Sequence, residues 1–99
     1  MIRGTTPTLE FLLPFDTSIL AEAFVTLSQN GTVVVDKQLT ECNCTGTKLS
    51  VRLAQEDTLK FDCDCKTEIQ VRARTQTGDA LASNIITVNT ERILKDGVI

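Results

Sequence analysis

The chain is predicted to be all-β, a single domain spanning residues 1–99 and folded as an antiparallel β-sandwich of about seven to eight strands. Three observations predict it. Apolar residues recur at every second position through most of the sequence, the period of strands with one buried and one wet face. Turn-forming residues separate these runs, and the connections are shorter than the roughly dozen residues a parallel crossover needs. Finally, 99 residues with 41% hydrophobic and 23% charged content have the composition of one folded domain and are too few for two independent cores.

The first run, Thr8–Phe15, places Leu9, Phe11, Leu13 and Phe15 on one face. In Ala21–Ser28, Ala21, Ala23, Val25 and Leu27 oppose Glu22, Phe24, Thr26 and Ser28, leaving Phe24 on the polar side. A helix over Thr17–Ala23, capped by Asp16 or Thr17, is the competing local reading. Gln29-Asn30-Gly31 is the best turn signal, because Asn and Gly tolerate the positive φ of a tight turn, and it joins Phe24–Ser28 to Thr32–Lys37 in a hairpin. Glu41–Cys44 and Lys48–Leu53 follow, the latter with Leu49, Val51 and Leu53 against Lys48, Ser50 and Arg52. Thr58–Cys63 reads as a strand, its face of Leu59, Phe61 and Cys63 continuing to Cys65. Thr67–Thr77 reads the same way through Ile69, Val71, Ala73 and Thr75. Thr77-Gly78-Asp79 turns this run into Ala80–Asn89, where Ile85, Ile86 and Val88 supply β-branched residues for a second hairpin. The tail Thr90–Ile99 offers a helical turn or an edge strand anchored by Ile93, Leu94, Val98 and Ile99.

Charge and composition exclude several functions. Ten Lys plus Arg against thirteen Asp plus Glu give a net charge of −3, which supplies no general attraction to nucleic acid or an anionic membrane. There is no His, Trp or Tyr, so the usual proton shuttle, the commonest metal ligand and the best base-stacking rings are missing. No apolar run approaches a membrane span, and the N-terminus lacks the order of a signal peptide, so the expectation is no membrane insertion and no standard export. With no His, a Cys–His nucleophile is impossible, and carboxylates such as Glu56-Asp57 or Asp62 and Asp64 read as solvated charges. No catalytic residue and no cofactor are expected.

The four cysteines come as Cys42-Asn43-Cys44 and Cys63-Asp64-Cys65. Residues i and i+2 of a strand share a face, so adjacent strands would present four thiols to one tetrahedral zinc, although C-x-x-C spacing suits that geometry better than C-x-C. Disulfides are a second reading and reduced, core-packed thiols a third. Asp57, Asp62 and Asp64 are weak calcium candidates without an EF-hand spacing. Arg72 and Arg74 with Lys60 and Lys66 could make a basic stripe for phosphate or an acidic partner, but the stronger expectation is that Asp62 and Asp64 lie opposite and cross-strand charge pairing explains both sets. Asn30-Gly31-Thr32 and Asn43-Cys44-Thr45 match the glycosylation pattern but have no secretory signal to give it meaning.

Two resemblances add to this reading. Leu53-Ala54-Gln55-Glu56-Asp57-Thr58-Leu59-Lys60-Phe61-Asp62-Cys63 resembles the E–F corner of immunoglobulin domains, with Phe61 replacing the corner tyrosine and no core Trp. It implies an immunoglobulin-like antiparallel β-sandwich and no antibody-like function. Met1-Ile2-Arg3-Gly4-Thr5-Thr6-Pro7-Thr8, Leu13-Pro14-Phe15-Asp16-Thr17-Ser18, Ala54-Gln55-Glu56-Asp57-Thr58-Leu59-Lys60-Phe61 and Ala82-Ser83-Asn84-Ile85 resemble a family of small proteins of phages and prophages of Firmicutes. The pattern is more faintly similar to the N-terminal β-sandwich of upper-baseplate proteins from phages of Gram-positive hosts, which dock onto the tail and hold receptor-binding proteins. The resemblance implies a virion or tail-accessory role, made in the host cytoplasm and then held in the particle. Its partners would be copies of itself or other phage structural proteins. The alternative is a small phage factor that binds and inhibits a host protein.

Exposed strand edges must be covered, and assembly is one way to cover them. Ile2, Arg3 and Pro7 at one end and Ile93, Leu94, Val98 and Ile99 at the other are the interface candidates, because they lie outside the strand pattern. The competing expectation is that both termini fray or pack on their own sandwich.

Overall fold

A computed structural model describes all 99 residues, Met1–Ile99. The strands are β1 (Thr8–Leu12), β2 (Leu20–Gln29), β3 (Thr32–Gln38), β4 (Asn43–Thr45), β5 (Lys48–Arg52), β6 (Lys66–Thr75), β7 (Ala80–Ala82) and β8 (Ile86–Asn89). A single helical turn, α1 (Gln55–Thr58), follows β5. The strands form two antiparallel sheets: a narrow one, ordered β1-β5-β4, and a wide one, ordered β3-β2-β6-β7, with β8 also paired to β6. In immunoglobulin lettering these orders are B-E-D and C′-C-F-G, so the protein is an immunoglobulin-like β-sandwich. No helix is long and apolar enough to cross a membrane.

The two-residue period builds the core directly. Ala23, Val25 and Leu27 of β2, Leu49 and Val51 of β5 and Ile69 and Val71 of β6 are buried between the sheets with Leu53 and Phe61. Leu9, Phe11, Leu13 and Phe15 pack against them from the β1 side. Asn30 (φ 51°) and Gly31 (φ 76°) form the two-residue turn between β2 and β3. Positive φ at both positions matches the twist of the paired strands, which is why Asn-Gly stands there.

Several expectations change on folding. Thr58–Cys63 is not a strand: Asp57 Oδ2 accepts the Ala54 N–H at 2.9 Å, which closes α1, and the Thr58 hydroxyl donates to the Thr5 carbonyl at 2.8 Å. Phe61 is buried as the alternation implies, but Cys63 points to solvent and Cys65 is only half-buried. Ala80–Asn89 is split into β7 and β8 because Val71 N–H bonds the Ser83 hydroxyl, at 2.9 Å, in place of a backbone carbonyl. Ala21 is exposed and Leu20 buried, since a register shift between Leu20 and Glu22 reverses the faces there. The helix over Thr17–Ala23 is reduced to one 3-10 turn, Thr17–Ile19, capped by Asp16 Oδ1 on the Ser18 N–H. That bond holds the Asp16 carboxyl below its ordinary pKa. Finally, Glu41–Cys44 gives way to a 3-10 turn at Leu39–Glu41 and then β4.

Candidate interaction surfaces

The termini are fastened to each other. The Met1 amino group donates to the Asn89 carbonyl at 2.8 Å, Glu91 N–H to Met1 O at 2.7 Å and Arg3 N–H to Glu91 O at 3.0 Å. The opening residues thus run parallel to the end of β8. Gly4 (φ +74°) lets the chain pass closely beneath Ile93: a Cβ there would stand 2.9 Å from Ile93 Cδ1 and 3.4 Å from Leu59 Cδ2. Arg3 reaches the Leu59 carbonyl through Nη2 at 3.0 Å, and its Nε is buried without a partner. Pro7 O accepts the Leu53 N–H at 2.9 Å, extending the β1–β5 ladder by one residue. The last residue is held by an amide pair, in which Gln55 Nε2 donates to Ile99 O at 3.1 Å and Gln55 Oε1 accepts Ile99 N–H at 2.9 Å.

The seven interface candidates therefore separate into two groups. Arg3, Pro7 and Ile93 serve internal contacts, whereas Leu94 (94% exposed) and Ile99 (90%) project into solvent with Val98 and, to a lesser degree, Ile2. Fixing the backbone in place lowers the entropy cost of using these exposed side chains in an interface.

The two cysteine pairs sit at different levels of the sandwich. The Cys42 thiol donates to the Gln38 carbonyl at 3.3 Å, and Gln38 pairs with Phe24 of β2. Cys65 Sγ instead accepts from Asn30 Nδ2 at 3.2 Å, in the hairpin turn. Phe24 and Gln29 are five residues apart along β2, roughly 17 Å of strand. Zinc binds thiolates at about 2.3 Å, so this arrangement does not present the four thiols to one ion. All four cysteines are free. Burial pushes the Cys42 thiol above its ordinary pKa, reinforced by Cys44 and Glu41 and opposed by Lys37.

Asp62, Cys63 and Asp64 bring donor atoms within 4.8 Å of one another on an exposed turn. Asp57, the third calcium candidate, is elsewhere: it is buried and faces Lys37 Nζ at 3.0 Å. The turn containing Asp62 is shaped by Gln29, which the sequence pattern assigns to the hairpin turn and the structure places, buried, at the end of β2. Its Nε2 donates to Asp62 O (2.8 Å), Cys65 O (3.3 Å) and Thr67 Oγ1 (3.1 Å), and its Oε1 accepts the Asp62 N–H (2.8 Å). The only sequence signal for this role is a polar residue at an inward-facing position of β2.

The turn also removes the charge compensation expected for the basic stripe. Arg72 and Arg74 lie opposite Phe24 and Glu22 on β2 and opposite Ala82 and Ala80 on β7, not opposite Asp62 and Asp64. Arg74 is paired with Glu22 at 3.4 Å. Arg72 lines an open groove of about 240 Å³ with Phe24 and Ala80. No family model, curated protein sequence or solved structure matches this chain.

Proposed function

We propose that this chain is a non-enzymatic protein-contact module, acting as a structural or tail/baseplate-accessory component of a phage particle. The observation that most supports this reading is the division of labour between its polar and apolar side chains. The buried polar residues, Asp57 and Gln29 included, have partners within the chain, and the buried polar atom left without one, the Nε of Arg3, belongs to a guanidinium already bonded to the Leu59 carbonyl. Large apolar side chains, by contrast, stand in solvent on the terminal strap and along the β7–β8 side of the wide sheet, with others at Leu12 on β1, at Ile19 and at Val33 on β3. Exposed apolar surface of this kind on a folded domain marks contact with another protein. The phage context comes from the sequence resemblance.

Mass spectrometry of purified particles tests the proposal. The protein is expected in the particle at a fixed ratio to the other tail components. Its absence from particles, together with recovery in complex with a host protein, overturns the structural role in favour of a host-directed inhibitor.

A further inference from the structure

The sandwich has four sheet edges, and three are protected against pairing. β1 lies between Pro7 and Pro14 and carries Glu10 at its centre. β4 is only three residues long. β3 has a bulge against Leu27 and Ser28, an outward Asp36 and a Lys37 that turns inward to Asp57. Proline, charge, bulges and shortness are the usual devices that keep an edge from acting as a template. The fourth edge, β7–β8, shares shortness with β4, since β7 is also three residues long, but it has none of the chemical devices: from Ala80 to Thr90 there is no charged residue and no proline. Only its far end is covered, where Met1–Arg3 pair with Asn89–Glu91.

This edge also overhangs the core. Leu81 and Ile86 lie opposite Ala73 and Ile69, on the side of the wide sheet that faces the narrow one. They nevertheless remain 41% and 47% exposed. The narrow sheet has three strands, and at about 4.8 Å per strand it does not extend far enough to cover them.

We propose that β7 pairs antiparallel with β7 of a second copy of this chain about a two-fold axis at Leu81, joining the two wide sheets edge to edge. The proposal rests on the protein-contact reading above and names its partner. The ladder fixes the register: β6 bonds β7 through residue pairs such as Val71–Ser83 and Thr75–Asp79, so the N–H and C=O of Ala80 and Ala82 point away from the sheet. Across the axis Ala80 and Ala82 of each copy exchange hydrogen bonds with Ala82 and Ala80 of the other. Leu81 meets Leu81 on the core side, and no like charges are brought opposite along the strand. A second copy is the occupant because the edge is self-complementary: uncharged, symmetric about Leu81 and flanked by small side chains.

Sedimentation under reducing conditions, over a wide range of protein concentration, tests the pairing. A reversible dimer is expected. Ala82→Pro removes an N–H that no internal bond uses, at an edge position that tolerates proline. It is expected to raise the dimer dissociation constant roughly ten- to hundred-fold, since one hydrogen bond is lost on each side of the axis. Leu81→Lys places two ammonium groups against each other and is expected to give a monomer with an unchanged β-sheet circular dichroism spectrum, whereas Val33→Lys on the β3 edge leaves the dimer intact. A wild-type chain that is monomeric throughout overturns the inference, as does a dimer that survives both β7 variants. A monomer still found in particles would retain the contact-module reading, and a dimer absent from particles would remove the particle role alone.

Discussion

Replacing Asp57 with asparagine should unfasten the corner between β5 and β6 without removing its backbone bond. Asp57 and Lys37 are 3.0 Å apart with side chains only 12% and 20% exposed, so water screens the pair weakly. Burial by itself would raise the Asp57 pKa. The Ala54 N–H and the Lys37 ammonium outweigh it, with a smaller contribution from Lys60, and hold the carboxyl below its ordinary value of 3.8. The amide oxygen of an asparagine at this position can still accept the Ala54 N–H, so the substitution chiefly leaves Lys37 without its counter-charge. Removing one partner of a buried pair costs about 3–5 kcal/mol; allowing for the remaining exposure, about 2–3 kcal/mol is expected here. For a domain of this size that lowers Tm by about 10–20 °C. The acid limb supplies the sign. A depressed folded-state pKa contributes stability that is fully present above the unfolded value and is lost as pH falls from about 4 through the folded pKa. Asp57→Asn should flatten that limb. Urea titrations of Asp57→Asn, Lys37→Met and the double variant measure the coupling, and the double variant should recover part of the loss. A cost within about 0.5 kcal/mol and no coupling would refute the reasoning.

Three further outcomes are expected. Gln29→Leu should cost about 2–4 kcal/mol in urea denaturation, because Asp62 N–H, Asp62 O and Cys65 O lose their shared partner, and amide exchange should speed up most in the Asp62–Thr67 region. Gly31→Val should cost about 1–2 kcal/mol through backbone strain at φ +76° alone, since nothing lies within 4 Å of an added Cβ, and Gly31→Asn should cost less in the same titration. In thiol labelling, the exposed Cys44 and Cys63 should react first. Cys42 should react last and need a higher pH, because burial raises its pKa and the thiolate is the reactive form.

The sequence pattern was most informative where one face of a strand meets the core along its whole length. Leu49, Val51 and Leu53, and likewise Ile69, Val71 and Thr75, alternate as the buried faces they form. Asn30-Gly31 specified its turn because few other residues adopt positive φ at both positions. The same period misled at Leu59–Cys65. Alternation there fits a strand, but the conformation is decided by distant partners: Thr5 for Thr58, Lys37 for Asp57 and Gln29 for Asp62. A local pattern cannot encode a bond between residues 33 positions apart. The resemblance of this segment to an immunoglobulin corner implies the sandwich and is not read as a turn. At the termini, Ile93 and Leu94 are equivalent as hydrophobic residues, yet Ile93 packs over Gly4 while Leu94 stands in solvent. That distinction requires the parallel pairing of the two ends.

The placement of these long-range bonds makes the two sides of the sandwich unequal. On the side of the β2–β3 hairpin, Gln29 holds one end of the Asp57–Cys65 connection and Lys37 holds the other. Both bonds tie the wide sheet to the chain that leaves the narrow one, so relative motion of the sheets must break a buried amide network or a buried ion pair. On the opposite side, the opening residues join the end of β8 to Thr58 and Leu59, and β7 has backbone hydrogen bonds on one flank alone. The free flank is also the one without proline or charge. The Gln29 and Lys37 ties hold the two sheets in one arrangement on the hairpin side, and in the proposed pairing that order spares the β7 edge the cost of ordering itself when a second strand joins it. Weakening the Gln29 or Lys37 contacts should therefore reduce association at β7 even though neither residue touches it. A strand-pairing constant unchanged in a folded Gln29→Leu variant would show that the two sides act independently.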